Sequence, residues 1–162
     1  MMEPARAKAD IIPYSAEYSG QVRSWIDSEE TYRYVCRGQE FPPPEDIVDS
    51  WQRSGVTSHL LFSQSKPVAY GELWERPLEM AVEIAHLIVD PYKRARGYGV
   101  KMLELLYQRA AHRENVAKVV LNLYGENEIA LGCYLKAGFE ITGTSSYTVG
   151  LRMVRMVKQS DK

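Results

Sequence analysis

The most constraining stretch of this 162-residue chain is Arg94-Ala95-Arg96-Gly97-Tyr98-Gly99, set between an apolar run (Ile84 to Val89) and an amphipathic one (Val100 to Ala110). A strand that enters a glycine-containing turn and leaves as a helix exposes several backbone N–H groups at the positive end of the helix dipole. Such a nest binds phosphate. Gly97 and Gly99 carry no Cβ to hold a ligand off the backbone, and Arg94 and Arg96 add positive charge at the mouth. Other glycine motifs fit poorly. A dinucleotide fingerprint needs a third glycine where Leu103 and its neighbours continue a helix, and a P-loop needs Gly-Lys-Ser or Gly-Lys-Thr where Gly99 precedes Val100-Lys101-Met102.

The length suits one domain with a real core, spanning residues 1–162, with 1–9 as a loose polar lead-in. With 20 basic and 21 acidic residues the formal net charge is −1, so no global field draws the chain to nucleic acid or an anionic membrane. An anion site has to be local. Two cysteines, Cys36 and Cys133, make no disulfide framework, and no apolar stretch approaches the roughly 20 residues a bilayer span needs. A soluble, cytoplasmic protein is expected, with neither nucleic acid nor membrane as partner.

Periodicity orders the elements. Ile11-Ile12 begins a first strand, and Tyr14 to Val35 reads as broken helix. After Pro42-Pro43-Pro44, Glu45 to Arg53 reads as another helix, with Ile47, Val48 and Trp51 on one face. Leu60 to Phe62 and Val68 to Trp74 predict a hairpin, and Met80 to Val89 the strand that feeds the glycine turn. The following helix buries Val100, Leu103, Leu106, Tyr107 and Ala110 and is expected to end near Asn115. Lys118 to Tyr124 is a strand, Glu128 to Lys136 a helix stopped by Gly138, and Phe139 to Thr142 with Tyr147 to Val157 a last pair of strands. The expected fold class is α/β: a mixed, mainly antiparallel sheet of six or seven strands flanked by helices.

The order strand, R-x-x-G-x-G, helix, strand, and then Asn127-Glu-Ile-Ala130-Leu-Gly-Cys-Tyr134-Leu-Lys-Ala-Gly138-Phe139, resembles the GNAT superfamily of acyl-CoA-dependent N-acyltransferases. The first motif is similar to that family's pyrophosphate loop, preceded by Val89-Asp90-Pro91, and the second to its N-x-x-A-x-x-x-Y-x-x-x-G-F segment. The likeness covers roughly Val68 to Val157. The first sixty residues follow the family in outline, and that half normally shapes acceptor recognition.

The resemblance implies a direct transfer of acetyl from acetyl-CoA, the cosubstrate, to a primary amine of a small molecule or of a peptide or protein N-terminus. It implies that Arg94, Ala95, Arg96, Gly97, Tyr98, Gly99 and Val100 hold the pyrophosphate. The strand ending at Val89 would splay from its neighbour around a bulge, so that the backbone of Leu87, Ile88 and Val89 pairs with the pantetheine arm and polarises the carbonyl. Asn127 would contact the cofactor, cap its helix, or both. Tyr134 lies seven residues on, about two turns along nearly the same face. It is the general acid for the leaving thiolate by resemblance, or else a core tyrosine beside Phe139.

Glu83, a carboxylate within Met80-Ala-Val-Glu-Ile-Ala-His-Leu-Ile-Val, is costly unless it faces a cleft or a partner. It is the candidate base, acting through water, against a solvated glutamate on a half-exposed strand. His86 competes with it, against the reading of a satisfied structural histidine. On a regular strand His86 points away from Glu83, and a bulge would change that parity. Cys133 reads as packing, and the scattered histidines His59, His86 and His112 predict no metal site. Trp25, Tyr32, Tyr34, Trp51 and Trp74 are candidates for an acceptor pocket or for core. The sequence leaves open a homodimer through the last strand, and a non-catalytic CoA-binding module as the alternative function.

Overall fold

The computed structural model describes residues 10–36, 40–124, 126–144 and 150–162. Its strands are β1 (Asp10–Pro13), β2 (Val56–Ser63), β3 (Lys66–Arg76), β4 (Ala81–Val89), β5 (Lys118–Tyr124), β6 (Glu140–Thr144) and β7 (Gly150–Met156). Its helices are α1 (Ser19–Ser24), α2 (Glu29–Cys36), α3 (Ile47–Ser50), α4 (Tyr98–Ala111) and α5 (Glu128–Lys136). The strands form one sheet in the order β1-β2-β3-β4-β5-β7-β6. β4 and β5 run parallel, and every other neighbouring pair is antiparallel.

β5 and α5 run as the periodicity predicts, and Gly138, at φ +87°, closes α5 in the left-handed conformation expected of a C-terminal glycine. Two helices are shorter than the sequence predicts. The helix expected over Glu45 to Arg53 is a single turn, because Trp51 and Gln52 already turn back on Val48 and Asp49 with tight bonds. The long helix stops at Ala111 rather than near Asn115, which adopts φ +61°. Residues 147–149 of the last expected strand lie outside the described residues, and β7 begins at Gly150.

Two apolar cores lie on opposite faces of the sheet. On one face Leu61, Leu73, Val82 and Ile84 pack with Met102, Leu103, Leu106 and Tyr107 of α4. On the other, Leu60, Tyr70 and Ile88 pack with Val22, Trp25, Tyr32, Val48 and Trp51 from the first helices. Neighbours in the chain therefore divide between the cores, as a period of two demands. Trp25, Tyr32 and Trp51 belong to that second core, whereas Tyr34 and Trp74 are half-buried. Gly71 lets α4 approach β3 closely, since a Cβ there would stand 2.8 Å from Leu106 Cδ1. Among the described residues no helix is long and apolar enough to cross a membrane.

Candidate active site

The central geometry is the divergence of β4 from β5. Their pairing runs from Ala81↔Lys118 to Ile84↔Leu121 and stops, although both strands continue. On its other edge β4 stays paired with β3 as far as Val89↔Ala69. Among the described residues the β5-facing backbone of Ala85 to Val89 thus has no strand partner in the sheet, and unpaired ladder groups are ready ligands for an extended arm.

A bulge accompanies the divergence. Tyr70 opposes Ile88 and Glu72 opposes Ala85, so Gly71 alone faces both His86 and Leu87. His86 takes the extra residue's conformation, with φ +49°. Parity shows the effect: Ile84 and Ile88, four apart, belong to opposite cores. The bulge turns the His86 ring onto the face opposite α4, where it stacks on Trp51 at 4.1 Å between centroids and meets Trp74 edge-on at 5.3 Å. Glu83 shares that face, beside its cross-strand neighbour Trp74. It is buried, and its Oε1 accepts from Arg76 Nη2 at 3.0 Å and Nε at 3.2 Å. A solvated glutamate is therefore not what the structure holds.

A residue that sequence reasoning passed over stands at the centre of this face. Glu72 is fully buried. Its Oε2 accepts from the Tyr70 hydroxyl, and its Oε1 accepts from Trp74 Nε1 at 2.7 Å and faces His86 Nδ1 at 2.9 Å. Burial and the Glu72 carboxylate push the Tyr70 phenol above its ordinary range, so Tyr70 remains a donor. Burial, then the same carboxylate, raises the Cys36 thiol to about 12, which makes Cys36 an inert neighbour. The signal for Glu72 was present in the sequence: a lone carboxylate inside Val68 to Trp74, of the same kind that marked Glu83.

At the end of β4, Asp90 accepts from Tyr92 N–H at 3.0 Å and starts the tight turn Pro91–Lys93. Ala95 (φ +60°) and Gly97 (φ +84°) are both left-handed, and Gly97 caps α4. The first-turn N–H groups of α4 emerge beside Gly97, where a Cβ would meet open space among the described residues. At Gly99 a Cβ would make only ordinary contacts with Val89 and Cys133. Arg94 reaches Asp27, in the link between α1 and α2, at 3.7 Å, and Arg96 is exposed.

α5 packs beside α4. Asn127 caps it, its Oδ1 accepting from Ala130 N–H at 3.3 Å. Tyr134 is half-buried against the α4-side core, and burial pushes its phenol up to about 12. Tyr134 therefore lies on the α4 side of the sheet, next in the chain to the Cys133 that neighbours Gly99, whereas Trp51, Trp74 and His86 lie together on the opposite face. A model of the acetyltransferase (GNAT) family matches residues 21–139. The chain belongs to the GNAT acetyltransferase family.

Solved structures agree with that assignment at the level of fold. An aminoglycoside acetyltransferase in complex with coenzyme A and kanamycin is 18% identical, with TM-score 0.77, over 95% of this chain and 96% of that one. A spermidine N-acetyltransferase from Vibrio cholerae in complex with CoA and spermine is 15% identical, with TM-score 0.74, over 92% and 95%. The ribosomal-protein-S18-alanine N-acetyltransferase from Escherichia coli is 18% identical, with TM-score 0.66, over 94% and 96%.

Proposed function

We propose that this GNAT protein transfers an acetyl group from acetyl-CoA to a primary amine, on a small molecule or a peptide N-terminus, by direct attack within a ternary complex. The observation that carries this reading is the end of the β4–β5 pairing at Ile84↔Leu121, just where β4 leads into a left-handed glycine turn and α4. The pyrophosphate would sit on the N–H groups from Arg94 to Val100, with Arg94 and Arg96 beside it. The pantetheine arm would pair with the free edge of Leu87, Ile88 and Val89, and Asn127 would border it. No metal is required for aminolysis of a thioester.

Tyr134 is the general acid in this reading. A phenol raised to about 12 keeps its proton at neutral pH, and it would pass that proton to the thiolate as the C–S bond breaks. Amine acceptors are the class bound with CoA in the kanamycin and spermine complexes of the neighbours. The test follows CoA thiol release from acetyl-CoA against aminoglycosides, polyamines, amino acids and N-terminal peptides, with calorimetric titration of CoA alongside. Acceptor-dependent thiol release is the expected result. Tight CoA binding with no release across the panel would favour a CoA-binding module without catalysis, and absence of CoA binding would overturn the reading of the Arg94 to Gly99 loop.

A further inference from the structure

We infer that His86, held by Glu72, is the base that takes the proton from the acceptor amine, with Glu83 as a structural ion-pair partner of Arg76. The inference rests on the acetyltransferase reading and deepens it. A buried carboxylate facing an imidazole nitrogen at 2.9 Å favours the tautomer that carries its proton on Nδ1. Nε2 then presents its lone pair. Among the described residues Nε2 has no hydrogen-bond partner, and the His86 side chain is 12% exposed, so the ring is not sealed from solvent. Trp51 stacked on the ring and Trp74 against it leave the imidazole little rotational freedom.

Position completes the argument. His86 immediately precedes Leu87, the first of the backbone groups assigned to the pantetheine arm, and it lies beyond the last β4–β5 pair. Glu83 lies before that point, inside the paired segment, with two guanidinium N–H groups on one oxygen. That ion pair occupies the Glu83 oxygen which would otherwise meet a substrate. Charged and titratable groups around His86 come from each packed element: Tyr70, Glu72 and Arg76 on β3, Glu83 on β4, Cys36 on α2, and Arg53 after α3, whose guanidinium lies 4.7 Å from the Trp74 ring centroid.

In the step proposed, the lone pair of the neutral amine forms the C–N bond to the acetyl carbonyl carbon. His86 Nε2 takes a proton from the resulting ammonium centre. The C–S bond breaks, Tyr134 gives its proton to sulfur, and solvent then reprotonates Tyr134 and takes the proton from the imidazolium. Glu72 touches no reacting atom and is a positioning residue. It fixes the tautomer and stabilises the charge that forms on the ring.

The experiment compares the full chain with His86→Ala, Glu72→Gln and Glu83→Gln, reading kcat and KM for the acceptor across pH, and CoA affinity by calorimetry as the check on folding. His86→Ala is expected to lose about 10²-fold in kcat, with CoA affinity kept, and to be rescued in part by added imidazole. Glu72→Gln is expected to lower kcat less and to shift the acidic limb of the pH–rate profile, which a merely structural role would not move. The loss in Glu83→Gln is expected to be smaller than in His86→Ala. A His86→Ala protein that binds CoA and keeps wild-type kcat, or a Glu83→Gln loss that exceeds the His86→Ala loss, would overturn the inference while leaving the acetyltransferase reading intact. Failure of the wild-type chain to release thiol with any acceptor would overturn both.

Discussion

A phenol raised to about 12 by burial is a proton donor across the whole neutral range, which separates two roles open to Tyr134. As an acid it contributes to kcat, and as packing it contributes to stability. Tyr134→Phe keeps the ring and is expected to lower kcat by about 10²-fold, with CoA affinity and the unfolding midpoint little changed; equal turnover in the two proteins would remove Tyr134 from the chemistry. Gly97 makes a second residue-scale test. At φ +84° any L side chain is strained, by about 1–2 kcal/mol, and its Cβ would enter the open nest above α4. Gly97→Ala is expected to raise the Kd for CoA about tenfold, read by calorimetry. Affinity unchanged within twofold would mean that the phosphates do not approach Gly97.

Among the elements, the contact of α4 with β3 depends on one missing side chain. Gly71 would place a Cβ 2.8 Å from Leu106 Cδ1, 3.3 Å from Leu87 Cδ1 and 3.4 Å from Met102 Cε. The atoms met are the ends of side chains, but in a filled core they have little room to yield. Gly71→Ala is expected to destabilise the fold by about 1–3 kcal/mol, measured by urea unfolding, and a neutral result would show that α4 can shift. Gly71 also faces the bulge at His86 and Leu87, so the same substitution presses on the strand that carries the site. Much at this scale was readable in advance. β5 and α5 have the bounds their local patterns predict, since an apolar strand, an asparagine cap and a left-handed glycine act within a few residues. The helix at Ile47–Ser50 was overestimated because Trp51, which seemed to continue its apolar face, instead leaves the helix and lies against His86.

For the molecule as a whole, stability in acid should report His59, a histidine with no part in the proposed chemistry. Burial, then Arg109 and Arg113, lowers His59 from 6.5 to about 4, and its Nδ1 is buried without a hydrogen-bond partner. Between those values the unfolded chain binds a proton that the folded chain refuses. The contribution is therefore fully present above about pH 6.5 and is lost as pH falls through about 4. Urea unfolding from pH 7 to 4 is expected to show this loss, and His59→Gln to flatten it; an identical pH dependence in the variant would assign acid sensitivity to other groups. The sequence by itself determined the order of strands and helices, the glycine turn at the head of α4, and the positions of Asn127 and Tyr134. These depend on periodicity and on backbone conformations set by near neighbours. The tertiary structure decided which carboxylate meets which base. Glu72 and His86 come together only through the β3–β4 register, and the bulge at His86, in a segment without glycine, reverses the parity that an unbroken strand would impose. Such a conformation exists because the packing of Trp51, Trp74 and Glu72 around the ring holds it, and those contacts are too distant in sequence for any local pattern to register.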